Sequence, residues 1–501
     1  MGTAADPSSK RRLMRTTDED DVVGGCRRGA EDRISGLSDD LLHSILLQLR
    51  DTAEAARTSI LSRRWRRVWA FLPELSFGYD GSESVPAAAA QAHDRVDDAL
   101  AAYSAATVNL LEITMPYASP TGGVHIHTDR AAPWLRFASE RLTGKLSLSL
   151  PYDDGAHEEE ELLLPQCERV TAIYLDVTCT LRFQLPPAGG AVFTALATLE
   201  ISSAGVDGRE LERFLSTFCP HLKELVLSWI RITLRDGDGD GDPPVLFIRS
   251  DSLRRLDTSA MGSFKGLLKV AAPELRSFCP SSCGQRDLDI AAPKLSELLW
   301  ISPCYDPARH RFAESGRHLR RLVTSTSIRH AAVALMRRFD IVDELNFEVS
   351  ISEGAQDYDK YLEDINNLSK CQVLVVTLTV IKHSLMSTLQ HLLMKCVGIR
   401  KLVVSLSYTM EDYPCKASEC PCGRQQQTNS VVLDSIEEIE VKGHDSKHKV
   451  ELVRLLFKCS TMFRKRVAIV AYTNSRYMRT DIIKSIRTRN NNQVEFTTRC
   501  T

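Results

Sequence analysis

Three stretches of this sequence carry residue types that do chemistry. "DGDGDGD" at 236–242 alternates carboxylates with glycines, as a calcium-wrapping loop does. Counted from Asp236, position six is Gly241, as an EF-hand loop requires, but position twelve is Phe247, where a bidentate glutamate must stand. With "LSWIRITL" before it instead of a helix, the stretch reads as a flexible loop insertion. "CKASECPC" at 415–422 sets Cys415, Cys420 and Cys422 close enough to share a soft metal ion. A structural zinc site wants four ligands, usually as two well-spaced pairs, and no clean fourth stands nearby, so no metal is expected. "HIH" at 125–127 puts two histidines on one strand face with no partner indicated, and reads as surface.

No catalytic motif emerges. "HEEEE" at 157–161 has glutamate where the metalloprotease pattern H-E-x-x-H needs its second histidine. There is no G-x-S-x-G elbow, no G-x-x-x-x-G-K phosphate loop and no G-x-G-x-x-G after a strand. The chain is expected to be no enzyme and to hold no cofactor. Arg63, Arg64, Arg66 and Arg67, interleaved with Trp65 and Trp69, could stack on and neutralise nucleic acid. In a chain with 63 basic and 65 acidic residues and a formal charge of −2, one basic helix face reads instead as solvated or paired with acidic groups of a partner. Neither nucleic acid nor membrane is expected as a partner, since the apolar run Val373–Ile381 falls far short of the ~20 residues that span a bilayer.

The elements that would position any site come next. A chain of 501 residues with 43% hydrophobic content can build several domains or one elongated repeat array. Fourteen cysteines without a regular frame, and charged residues Lys10–Arg12 and Asp18–Asp21 where a secretory signal would be apolar, point to reduced thiols in the nucleus or cytoplasm. The basic stretch 10–15 could serve as a nuclear signal but reads first as a solvated run.

From about residue 108 onward, short β-like runs recur. They include "VNLLEITM" (108–115), "VTAIYLDV" (170–177), "LKELVLS" (222–228), "LSELLWIS" (295–302), "VLVVTLTV" (373–380) and "IEEIEVKG" (436–443). Runs starting at 222, 253, 275, 295, 319 and 343 are spaced 31, 22, 20, 24 and 24 residues apart, which brackets the period of leucine-rich repeats. L-x-x-L-x-L suits such a repeat, because alternate strand residues point inward and one repeat cannot cover its own apolar face. "AAPELRSF" (271–278) and "AAPKLSELL" (291–299) are near copies 20 residues apart. Amphipathic helices are expected at 209–219, 330–339 and 384–396. The fold class expected is α/β, a solenoid of parallel strands. The alternative is a generic α/β domain.

Before the repeats, "LSDDLLHSILLQL" (37–49) predicts a helix capped by Ser38 with Asp39 and Asp40 in its first turn. "DTAEAAR" (51–57) opens a second, with Asp51 and Glu54 in capping-box spacing. "SILSRRWRRVWAFL" (59–72) predicts a third, with Ile60, Leu61, Trp65, Val68, Trp69 and Leu72 on one stripe. Three short helices cannot bury so many apolar side chains alone. The block therefore wants a partner.

The stretch from "DRISGLSDDLLHSILLQL" through "ILSRRWRRVWAFLPELSF" resembles the F-box of plant proteins that carry leucine-rich repeats behind it. Ser38 departs from the proline most often found there, but caps the helix by another route. "SIEEIEVKGHDSKHKVELVRLLFKCSTMFRKRVAIVAY" (435–472) resembles, more loosely, the FBD region that ends many of those proteins, and reads bottom-up as a repeat that closes the solenoid. The cysteine-rich loop ahead of it is similar to loops in grass-like members. The resemblance divides the chain into a disordered polar tail (1–30), an F-box (31–77), a repeat solenoid (78–410), a cysteine-rich loop (411–430), an FBD-like cap (431–475) and a C-terminal tail (476–501).

The resemblance implies that the F-box docks on a Skp-family adaptor, and through it on cullin. Leu37, Leu41, Leu42, Ile45, Leu46, Leu61, Trp65 and Trp69 would be the adaptor-binding residues, lying in the adaptor's groove. The repeats would hold a target protein that the sequence does not name. The expected function is substrate recognition in an SCF-type (cullin-RING) ubiquitin ligase. The alternative is a non-catalytic repeat scaffold whose F-box joins no ligase. Replacing Leu41 and Leu42 together by aspartate is the test that the sequence suggests.

Overall fold

The computed structural model describes residues 36–78, 85–115, 128–150, 160–186, 192–233, 244–258, 261, 264–280, 287–300, 304–325, 329–352, 354–381, 383–395, 398–407, 415, 419–423, 435–443, 446–458, 467–473, 480, 482 and 494–499. The N-terminal tail, "DGDGDGD", "HIH" and most of 411–430 lie outside them.

One long sheet organises the chain. Sixteen strands, from Glu74–Phe77 to Val494–Arg499, pair in parallel in the order in which the chain reaches them. Their register aligns one apolar residue per strand. Leu75 stands beside Leu111, then Leu146, Ile173, Leu199, Leu225, Leu256 and Phe278. The line continues through Leu298, Leu322, Leu345, Leu374, Leu402, Ile439 and Ile469 to Phe496. Every member up to Ile469 is at most 1% exposed. Leucine recurs at the expected spacing because each position must fill the same slot between the sheet and the layer behind it.

That second layer changes character along the chain. In the middle it is made of short parallel strands. One four-stranded sheet runs 231–233, 205–207, 180–183, 161–164, and another 245–249, 267–271, 287–291, 310–313. Toward the ends it is helical, with Val85–Ala102 and Thr128–Arg141 early and Arg329–Arg338, Ala355–Asp364, Leu385–Lys395 and Lys447–Lys458 late. The near copies are the corners between layers. Ala272 and Ala292 are fully buried there, and Leu275 and Leu295 donate to their carbonyls at 3.1 and 3.2 Å before the chain enters Ser277–Cys279 and Glu297–Trp300. The expected helices at 330–339 and 384–396 are present. That at 209–219 is a helix, Gly208–Arg213, capped by Asp207 and followed by a π-turn.

Ahead of the sheet stand α1 (Asp39–Leu46), α2 (Thr52–Arg57) and α3 (Trp65–Val68). Ser38 Oγ accepts from Leu41 N at 3.4 Å, and Asp51 Oδ1 accepts from Ala53 N at 2.7 Å, so the expected caps are formed. The third helix departs from expectation. A 3-10 turn, Thr58–Ile60, is followed by non-helical residues, and α3 restarts for one turn at Trp65. The block is joined to the first repeats: Thr52 Oγ1 accepts from Ser76 N at 2.9 Å, and Tyr103 Oη lies 2.8 Å from the Leu72 carbonyl.

At the other end, Glu438–Gly443, Lys447–Lys458 and Val467–Tyr472 form the expected strand, helix and strand. Gly443 has φ +97°, and a Cβ there would collide with the Leu406 backbone. Lys449 is fully buried, its Nζ donating to the carbonyls of Gly443 and Tyr472 at 2.6 and 2.7 Å. The segment expected as a C-terminal tail contributes a strand. Val494–Arg499 pairs with Val467–Tyr472 and takes the edge position that the preceding unit was expected to occupy.

Candidate partner-docking surface

The N-terminal block splits its apolar residues into two sets. Leu42 and Leu46 are buried, and Trp65, Val68, Trp69 and Leu72 are buried in the same cluster. Leu41 (52% exposed), Ile45 (46%) and Leu49 (45%) recur at four-residue intervals from α1 onto the 3-10 turn that follows it, facing solvent. Ile60 (87%) and Leu61 (64%) are exposed on the turn between α2 and α3.

Polar clamps hold the two parts in register. Arg64 donates from Nη2 to the Leu37 carbonyl at 2.6 Å and from Nε to Asp39 at 2.9 Å, while His43 Nε2 lies 3.0 Å from the Val68 carbonyl. The turn bearing Ile60 and Leu61 is thereby held alongside the start of α1. Desolvation raises the carboxyl pKa of Asp51, which caps α2 from a half-buried position.

The eight expected adaptor-binding residues are therefore not one surface. Leu41, Ile45 and Leu61 are presented, Leu37 is half-buried, and Leu42, Leu46, Trp65 and Trp69 are core. The physical reason is the break at 61–64. A helical wheel drawn through 59–72 puts Leu61 and Trp65 on one stripe, but the wheel loses phase where the helix stops, so Leu61 faces out and Trp65 in. Ile60, Leu49 and Phe71 are exposed on the same block. Their hydrophobicity was legible; their outward aim was not.

The cysteine-rich segment requires a second correction. The fourth partner judged missing near Cys415, Cys420 and Cys422 is His383, ahead of the helix Leu385–Lys395. The donor atoms of all four residues lie within 4.8 Å of one another.

No family model matches the chain. Its sequence is similar to F-box/LRR-repeat protein 25 of Arabidopsis thaliana, at 26% identity over 207 residues, 40% of this chain and 69% of that protein. A second F-box/LRR-repeat protein of that plant is 30% identical over 230 residues, 46% of each chain. A putative F-box/FBD/LRR-repeat protein is 54% identical over 61 residues, 12% of this chain and 13% of that protein. The chain thus spans about two thirds of the first relative's length and under half of the other two. A long parallel sheet behind a helical block is consistent with the class these relatives represent, F-box proteins with leucine-rich repeats. More particularly, these relatives support a likeness to the plant F-box/LRR/FBD proteins.

Proposed function

We propose that this chain is a substrate-recognition subunit of an SCF-type ubiquitin ligase, working in the nucleus or cytoplasm. Its N-terminal block docks on a Skp-family adaptor and through it on cullin, while the sheet and its loops hold a target protein. Such a subunit performs no chemistry. It raises the target's effective concentration at the ligase's charged carrier enzyme.

The observation that carries this reading is the exposed set Leu41, Ile45, Leu49, Ile60 and Leu61 on a block whose remaining leucines and tryptophans already form a core. Apolar side chains spaced four apart on a short helix fit a groove on another protein. The structure also changes the test. Leu42 is fully buried, so replacing it by aspartate would unfold the block and abolish binding for the wrong reason. Leu41→Asp with Ile45→Asp places both charges on the surface. Co-expressed with a Skp-family adaptor, the full-length wild type is expected to elute from size exclusion as a one-to-one complex that recruits cullin. The double variant is expected to elute alone with an unchanged denaturation midpoint. A variant that still co-elutes with the adaptor would rule the reading out.

A further inference from the structure

Outside the docking surface, one cluster brings several metal-ligating side chains to a single point. Its cysteines, Cys415, Cys420 and Cys422, belong to the connection between the adjacent strands Lys401–Leu406 and Glu438–Gly443. His383 and Cys422 pack there beside Tyr358 of the helix Ala355–Asp364 and Ser387 of the helix Leu385–Lys395. The His383 and Tyr358 rings are 4.9 Å apart, and Ser387 Oγ donates to the Cys422 carbonyl at 2.7 Å.

We propose that His383, Cys415, Cys420 and Cys422 form a structural zinc site of the Cys3His type. The donor set is three thiols and one imidazole with no carboxylate, a soft combination that selects zinc over magnesium or calcium and leaves no open position for chemistry. The geometry fits. A tetrahedral zinc with ordinary bond lengths sets nitrogen about 3.5 Å and sulfur about 3.8 Å from each neighbouring sulfur. His383 Nδ1 lies 3.3 Å from Cys422 Sγ and 3.4 Å from Cys420 Sγ.

The imidazole is also held in the state that a ligand needs. His383 Nε2 lies 2.7 Å from the Ser352 carbonyl, which can only accept, so Nε2 carries the proton and Nδ1 turns its lone pair toward the sulfurs. A backbone carbonyl orienting the far nitrogen is the usual support of a zinc-bound histidine. His383, Cys420 and Cys422 are buried and Cys415 is half-buried, so the centre is shielded from water. Packing alone does not require three thiols around one unprotonated nitrogen, since a single S–H would satisfy it. The ion ties Cys415, Cys420 and Cys422 to His383, which stands just ahead of the helix Leu385–Lys395.

The test is made on the full-length chain, purified under reducing conditions without chelator. Elemental analysis is expected to find about one zinc per chain. Cys420→Ser with Cys422→Ser is expected to lower that at least about tenfold, whereas His383→Cys, which supplies a fourth thiolate, is expected to keep the metal. Because the serine variant could lose zinc by unfolding, cobalt is added to reduced, metal-stripped wild type as an independent readout. The absorption of tetrahedral cobalt–thiolate is expected, bleached by zinc. A wild type without zinc and without the cobalt–thiolate spectrum would overturn the proposal. So would zinc content unchanged by the two serines, or a disulfide between two of the three cysteines in freshly purified, metal-free protein.

Discussion

Leu41 and Leu42 are adjacent, identical in type, and opposite in consequence. Leu42 is fully buried while Leu41 is half exposed. Truncating a fully buried leucine costs its transfer free energy plus that of the cavity left behind, so Leu42→Ala is expected to lower stability by about 3 kcal/mol. Leu41→Ala is expected to change it by less than about 0.5 kcal/mol and to weaken adaptor binding instead. Chemical denaturation with adaptor titration of the two variants separates the effects. An equal loss of stability in both would contradict the division of the block into core and surface. Hydrophobic identity could be read from the sequence at every one of these positions. Direction could not be read: Ile45 is exposed and Leu42 and Leu46 are buried on one helix, and Trp65 turns inward beyond the break in the third. His383 was illegible for another reason: its partners begin 32 residues later, beyond a helix and a strand, and no local pattern links them.

At the scale of elements, most strands of the long sheet were legible because apolar runs close to L-x-x-L-x-L recur along the chain, whereas Glu74–Phe77 and Val494–Arg499 carry no such run. The second layer was less so. Its strands are three to five residues long and carry at most two buried positions each, too little periodicity to register. Neighbouring strands are also tied by charged side chains, among them the buried Glu440. Lys401 reaches Glu438 at 3.0 Å and Glu440 at 2.5 Å, and Lys442 meets the other oxygen of Glu440 at 2.6 Å. Burial pushes the Glu440 carboxyl up, but the two ammonium groups outweigh it and hold the value below the ordinary 4.5. A carboxylate with a depressed folded-state pKa stabilises fully above its unfolded value and loses that contribution as pH falls through the folded one. Glu440→Gln is therefore expected to cost about 1 kcal/mol at pH 7, and urea midpoints of variant and wild type are expected to converge as the pH drops below 4.5. A gap that persists or widens in acid would show that the charge is not the source.

For the whole molecule, the aligned line of apolar residues makes the coils interchangeable units whose stabilities add with their interfaces. The two corners at Ala272 and Ala292 are equivalent, so removing residues 273–292 joins Ala272 to Pro293. It brings Arg255–Asp257 beside Glu297–Trp300 and Leu267–Ala271 beside His310–Ala313. The shortened chain is expected to fold cooperatively at a lower denaturant midpoint and to bind adaptor as the wild type does. Removing 273–282 instead breaks the repeat and is expected to leave the protein unfolded. Equal behaviour of the two deletions, followed by circular dichroism in urea, would count against a stack of equivalent coils. The order of strands carries one more consequence. Glu74–Phe77, which directly follows the docking block, is itself the first rung of the sheet, so no hinge of loose chain separates the block from the coils. Rungs in a sheet stand about 4.8 Å apart, so sixteen of them measure out a path of about 70 Å from the block to the far edge. The protein is thus a graduated ruler. If the proposed docking holds, the rung a cargo grips sets how far it is carried from the adaptor, and removing one coil moves everything beyond it inward by a single graduation.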